Sequence, residues 1–97
     1  MTYAEIKKQN KAEICWLSFI SGLAQYPNNK IEDIEIITIP NRYILVLAHI
    51  WNEKSYRHID WKYRFCLDES VLVDRFIGYI QNEFSNIEII KTTERGY

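Results

Sequence analysis

The sequence predicts an α+β fold: a two-layer sandwich in the order α-β-β-β-α-β, with a mainly antiparallel sheet and two helices on one of its faces. Three observations carry this expectation. Apolar residues recur at helical spacing in two separate stretches. Between them lie three runs rich in β-branched and aromatic residues, joined by short polar turns. A fourth run of that kind follows the second helical stretch.

The first helix is expected over residues 3–25. Thr2 and Glu5 form a T-x-x-E capping pattern, and Ile6, Cys15, Trp16, Phe19, Ile20, Leu23 and Ala24 mark the apolar stripe. Pro27 disfavours helix at Tyr26, and Pro-Asn-Asn reads as a loop. Strands are expected over residues 31–39, 42–51 and 56–65, with Pro40-Asn41 and Asn52-Glu53-Lys54-Ser55 as the turns of a meander. Asp68 is placed to cap a second helix over 69–84, whose stripe is Leu72, Val73, Phe76, Ile77, Ile80 and Phe84. A short fourth strand over 87–91 is expected parallel to the first, reached by a right-handed crossover through the second helix. The tail, 92–97, is expected to fray.

Side-chain alternation divides the sheet into two faces. A two-residue turn at Pro40-Asn41 sets Ile39 opposite Arg42 and Ile37 opposite Ile44; a four-residue second turn sets Trp51 opposite Tyr56 and Val46 opposite Trp61. One face then holds Ile37, Ile39, Ile44, Val46, Ala48, Ile50, Ile59, Trp61, Tyr63 and Phe65, and both helices should cover it. Ile44, Val46, Trp61 and Tyr63 should form one core with Phe19, Ile20, Phe76 and Ile80. The other face holds Ile34, Ile36, Thr38, Tyr43, Leu45, Leu47, His49, Trp51, Tyr56, His58, Asp60, Lys62 and Arg64. Unless the chain itself covers it, that second face is open.

The chain has 97 residues, enough for one domain, and 47% of them are hydrophobic, which argues against disorder. A net charge of -1 gives no global pull toward nucleic acid or an anionic membrane. The distribution is uneven: Arg42, Lys54, Arg57, Lys62 and Arg64 make the middle basic, and Asp68, Glu69, Asp74, Glu83, Glu88 and Glu94 make the last third acidic. Cys15 and Cys66 lie among apolar residues without metal-type spacing and read as buried free thiols. No leader peptide or spanning segment is read at the start, so a soluble cytoplasmic protein is expected.

The element order is similar to that of double-stranded RNA-binding domains. That family carries lysines at the start of its second helix, where this sequence has Asp68, Glu69 and Asp74. Acids there repel phosphate, so the family's function is not carried over. No nucleophile motif, phosphate loop or dinucleotide fingerprint occurs, and Gly22, Gly78 and Gly96 are the only glycines. An enzyme is therefore not expected, nor a cofactor.

The expected function is a small non-enzymatic protein-binding module, of the inhibitor, immunity or adaptor type that phage or plasmid accessory genes encode. It would act through the open face, with Tyr43, Leu45, Leu47, His49, Trp51, Tyr56, His58, Lys62 and Arg64 as binding residues. A homodimer is the companion expectation, formed through that face or through the first helix. Two alternatives use the same face. Single-stranded nucleic acid could stack on Tyr43, Trp51 and Tyr56 beside Arg42, Lys62 and Arg64. A metal-dependent enzyme could use His49 and His58, expected directly opposite each other, with Asp60 beside them and Glu32 across from His49.

Overall fold

The computed structural model describes residues 2, 10–25 and 28–94. Helix α1 spans Lys11–Gln25. It is followed by β1 (Asn29–Ile39), β2 (Tyr43–Asn52), β3 (Arg57–Phe65), a 3-10 turn at Leu67–Glu69, α2 (Ser70–Glu83) and β4 (Glu88–Thr93). The expected class and order hold. The expected helical start over residues 3–9, its capping residue Glu5 and the tail end at 95–97 lie outside the described residues. Thr92 and Thr93, expected in the tail, belong to β4, and the Glu94 N–H donates to the Thr38 carbonyl.

The four strands run in the order β3-β2-β1-β4. β1, β2 and β3 are antiparallel neighbours, and β4 lies parallel to β1 as expected.

The register corrects the sequence reading at both turns. Pro40, Asn41 and Arg42 all lie in the first turn, and Ile39 pairs with Tyr43. The Arg42 N–H donates to the Ile39 carbonyl at 3.1 Å, and Asn41 sits at φ 64. Proline fixes a negative φ and asparagine tolerates a positive one, which is the dihedral pattern of a type II turn. One extra turn residue slips β1 by one position and exchanges its faces. Ile34 and Ile36 are therefore buried opposite Ala48 and Val46, while Ile37 and Ile39 lie on the other face.

The second turn is Glu53–Tyr56, one residue later than expected. Asn52 fixes it: its Oδ1 accepts from the Ser55 N–H and hydroxyl, and its Nδ2 donates to Asn29 Oδ1 at 2.6 Å. The β2–β3 pairing moves by two positions, so Trp61 faces Ala48 and Tyr63 faces Val46. An even shift leaves each side chain on its expected face.

Both described helices pack on one face. Phe19 and Cys15 of α1, and Val73, Phe76, Ile77 and Ile80 of α2, meet Ile34, Ile36, Ile44, Val46, Ala48, Ile50 and Phe65 in one core. Of the expected core, Ile20, Trp61 and Tyr63 are half-buried at its margin. Aromatic rings hold the layers together: Phe19 meets Trp61 edge-on at 5.0 Å, and Trp61 stacks on Phe76 at 5.9 Å. The helices are also clasped by the Tyr79 hydroxyl, which donates to Glu13 at 2.8 Å.

Two further expectations are corrected. Cys66 is exposed, and only Cys15 is buried; both thiols are free. Asp68 does not begin α2, because the chain first makes a 3-10 turn there. The acid that organises this corner is Glu69, whose side chain is 3% exposed. It accepts the Cys66 N–H at 2.6 Å and the Lys11 ammonium at 2.7 Å.

Candidate protein-binding face

The face away from the helices is built by strand alternation. β2 contributes Tyr43, Leu45, Leu47, His49 and Trp51, all half-buried. β1 contributes Ile39, Ile37, Glu35 and Asp33, which pair with Tyr43, Leu45, Leu47 and His49 in turn. β3 contributes His58, Asp60, Lys62 and Arg64, which pair with Trp51, His49, Leu47 and Leu45. All nine expected binding residues lie on this face or, for Tyr56, in the adjoining turn. Ile34, Ile36 and Thr38 do not; the one-residue slip replaces them with Ile37, Ile39, Glu35 and Asp33.

The residues sort into three zones. Ile37, Leu45 and Leu47 form an aliphatic centre, with Ile39 and Tyr43 toward the first turn. The Arg64 guanidinium lies 4.6 Å over the Tyr43 ring, a cation–π contact on the basic side of β3. At the far end the Trp51 ring packs against His58 at 4.8 Å and Tyr56 at 6.2 Å. Tyr56 is 78% exposed and sits at φ 53, an uncommon backbone for a large side chain.

The third zone is acidic and surrounds His49. A register shift between Ile31 and Asp33 makes Glu32 an extra residue, and the bulge brings Asp33 opposite His49. The His49 Nε2 is 3.2 Å from Glu35 Oε2 and 3.7 Å from Asp33 Oδ1, and its Nδ1 is 3.4 Å from Asp60 Oδ1. Asp33 Oδ1 is shielded from solvent and has no hydrogen bond among the described residues. The expected histidine pair does not assemble: Asp60 stands opposite His49, and Trp51 stands opposite His58. Nor does Glu32 face His49; it reaches the His58 Nδ1 at 3.8 Å.

Comparison with known protein families, characterised proteins and solved structures finds no match.

The chemistry of the face is thus read from its groups. A neutral imidazole donates from one nitrogen only, whereas His49 has carboxylates on both sides. Partial desolvation pushes its pKa down, but the Glu35 hydrogen bond and the charges of Asp33 and Asp60 outweigh it and raise the value above 6.5. A raised folded-state pKa stabilises the fold fully below the unfolded value and ceases to do so as pH rises through the folded one. The unfolding free energy measured in urea should therefore fall between about pH 6 and pH 8, by no more than about 1 kcal/mol given solvent screening. His49→Gln should flatten that slope; an unchanged slope would remove His49 as its source.

Neither thiol is poised as a nucleophile. Burial pushes the Cys15 thiol up to about 12, and the hydrogen bond to Glu69 raises that of Cys66. Cys66, Asp68 and Glu69 bring donor atoms within 4.8 Å of one another. One Glu69 oxygen, Oε1, is already held by Lys11 and the Cys66 N–H. An open depression of about 530 Å³ lies on the helix side, between the ends of α1 and α2. Its described walls are mainly aliphatic, with Lys30 their one charged residue. Among the described residues, no helix is long and apolar enough to cross a membrane.

Sequence reasoning missed Asp33 and Glu35. The signal was present in the alternating acids of β1, but which face they occupy depends on turn length and on the bulge.

Proposed function

We propose that this protein is a non-enzymatic protein-binding module acting through the face of its sheet opposite the described helices, in the manner of an inhibitor, immunity or adaptor protein of the cytoplasm. One observation carries the reading. Ile37, Ile39, Tyr43, Leu45 and Leu47 stay half-exposed in a contiguous patch, with Trp51 beyond the His49 row, while both described helices pack on the opposite side. An apolar centre with aromatic residues and a charged rim has the anatomy of a protein interface. Single-stranded nucleic acid suits the face less well. Lys62 and Arg64 favour phosphate, but Asp33, Glu35 and Asp60 occupy the same or adjacent rows and oppose it.

The test uses the immobilised chain against nuclease-treated extract of its native host, with a single-stranded oligonucleotide titrated in parallel. Captured protein should be lost with Leu47→Arg at the centre of the face. It should be kept with Leu17→Arg, a change at a 65% exposed position on α1. Capture that Leu47→Arg leaves intact would defeat the reading. So would oligonucleotide binding with a steep salt slope that vanishes in the Lys62→Ala, Arg64→Ala variant.

A further inference from the structure

We infer that β3 is a pairing edge: two copies of this chain join β3 to β3, antiparallel, about a two-fold axis that passes Trp61 normal to the sheet. This goes beyond the function proposed above, because it uses the edge of the sheet and not its open face. β3 is the outer strand in the order β3-β2-β1-β4, and among the described residues no strand pairs with its other side. Its nine residues, Arg57–Phe65, pair with β2 without a register shift and include neither proline nor glycine. A straight edge of that length presents a row of backbone N–H and C=O groups to an incoming strand.

On the helix side this edge is apolar. Ile59, Trp61 and Tyr63 are half-exposed there, and the Trp61 and Tyr63 rings stack at 5.9 Å. α1 lies over the strand, since a Cβ on Gly22 would stand 3.8 Å from Trp61 Cδ1. Ser18 and Ile14, one and two turns before Gly22 on the same flank, are exposed. A second copy buries the stacked rings and brings the two α1 flanks together, with small Ser18 leaving room between them.

Charge order singles out the occupant. Asp60 precedes Trp61 and Lys62 follows it, so reversing the strand turns acid into base. Antiparallel pairing centred on Trp61 sets Asp60 of each copy against Lys62 of the other, and Ile59 against Tyr63. Each Asp60 then lies between His49 of its own chain and Lys62 of the other. The outer pairs are Arg57 with Phe65 and His58 with Arg64, where the Glu32 carboxylate lies 3.8 Å from the imidazole. A slide of two residues is the smallest that keeps the faces matched. In either direction it puts Lys62 against Lys62, or Asp60 against Asp60, at the axis. The two-fold normal to the sheet leaves both open faces on the same side of the joined sheet.

Charge exchange and hydrogen exchange test the pairing. Sedimentation at high micromolar concentration should give a two-chain mass for the wild type, and amides of β3 should gain protection as concentration rises. Asp60→Lys and Lys62→Asp should each weaken the dimer about tenfold, because each replaces two attractive cross-strand pairs by two repulsive ones. The Asp60→Lys, Lys62→Asp double variant should dimerise again, as should an equimolar mixture of the single variants. Both side chains are exposed, and circular dichroism checks that each variant folds. A monomeric wild type, single variants that dimerise like the wild type, or a double variant that stays monomeric overturns the assignment. A dimer that is lost with Leu47→Arg and leaves β3 unprotected lies on the open face, and it overturns the assignment too. Dimerisation that survives Leu47→Arg while protein capture is lost supports both readings, because the two surfaces are separate.

Discussion

Phe19→Ala should remove about 3–5 kcal/mol of folding stability, the range for a large aromatic deleted from a packed core. Phe19 is 0% exposed. Its ring is within 6.2 Å of Trp16, 5.0 Å of Trp61 and 6.0 Å of Phe76, centroid to centroid. Those neighbours come from α1, β3 and α2, and rings anchored on three elements cannot close together over the space left. A chain of this length has roughly 5–15 kcal/mol of total stability, so the loss is a large share of it. Urea unfolding of the two proteins measures it directly. Leu45→Ala, on the half-exposed face, should cost about 1 kcal/mol by comparison, since less area leaves water there. Equal costs at the two positions would contradict the assignment of core and open face.

The second large effect is expected at Lys11. Glu69 is an almost fully buried carboxylate at the join between β3 and α2, and its described partners are the Lys11 ammonium, the Cys66 N–H and the Cys66 thiol. Burial alone would raise its pKa; the Lys11 and Cys66 contacts overcome that and hold it below 4.5. Lys11→Met leaves the carboxylate buried without its cation. A fully buried pair loses roughly 3–5 kcal/mol when broken this way, and the 24% exposure of the Lys11 side chain reduces the expectation to about 2 kcal/mol. Glu69→Gln should cost less, about 1 kcal/mol, because an amide oxygen still accepts the Cys66 N–H. A depressed carboxylate pKa stabilises the fold above the unfolded value and is lost as pH falls through the folded one. The wild type should therefore lose stability more steeply than Glu69→Gln below about pH 4.5. A Lys11→Met protein as stable as the wild type would show that water, and not lysine, satisfies Glu69.

Residues with one possible environment were legible in the sequence, and residues with two were not. In β2, Ile44, Val46, Ala48 and Ile50 alternate with Tyr43, Leu45, Leu47, His49 and Trp51, and the structure buries the set that the smaller aliphatic residues mark. In β1 the isoleucines fall on both parities, at 34 and 36 and again at 37 and 39. Periodicity cannot choose between them, so turn length decides. Pro40 held the clue: the two-residue hairpin turns need a positive φ at their first position, which proline cannot adopt. The bulge at Glu32 left no comparable trace, and without it the carboxylates around His49 could not be assembled on paper. In the sequence Glu69 is one of three acids at a helix start, and nothing local shows that Lys11, far away along the chain, comes to meet it.

The parallel pairing of β4 also governs what the sheet presents to its surroundings. β1 runs for eleven residues, and its segment Ile34-Glu35-Ile36-Ile37-Thr38-Ile39 joins high strand propensity to a single charge. As an outer strand it would offer a long row of unpaired N–H and C=O groups, the kind of template on which sheets of different molecules add to one another. β4 takes up that row from Asp33 to Thr38. The edge it leaves in its place is six residues long and carries Glu88, Lys91, Thr92 and Thr93 exposed. β4 contributes little to the core, and its service to the fold is to turn an aggregation-prone strand of the chain into an interior one.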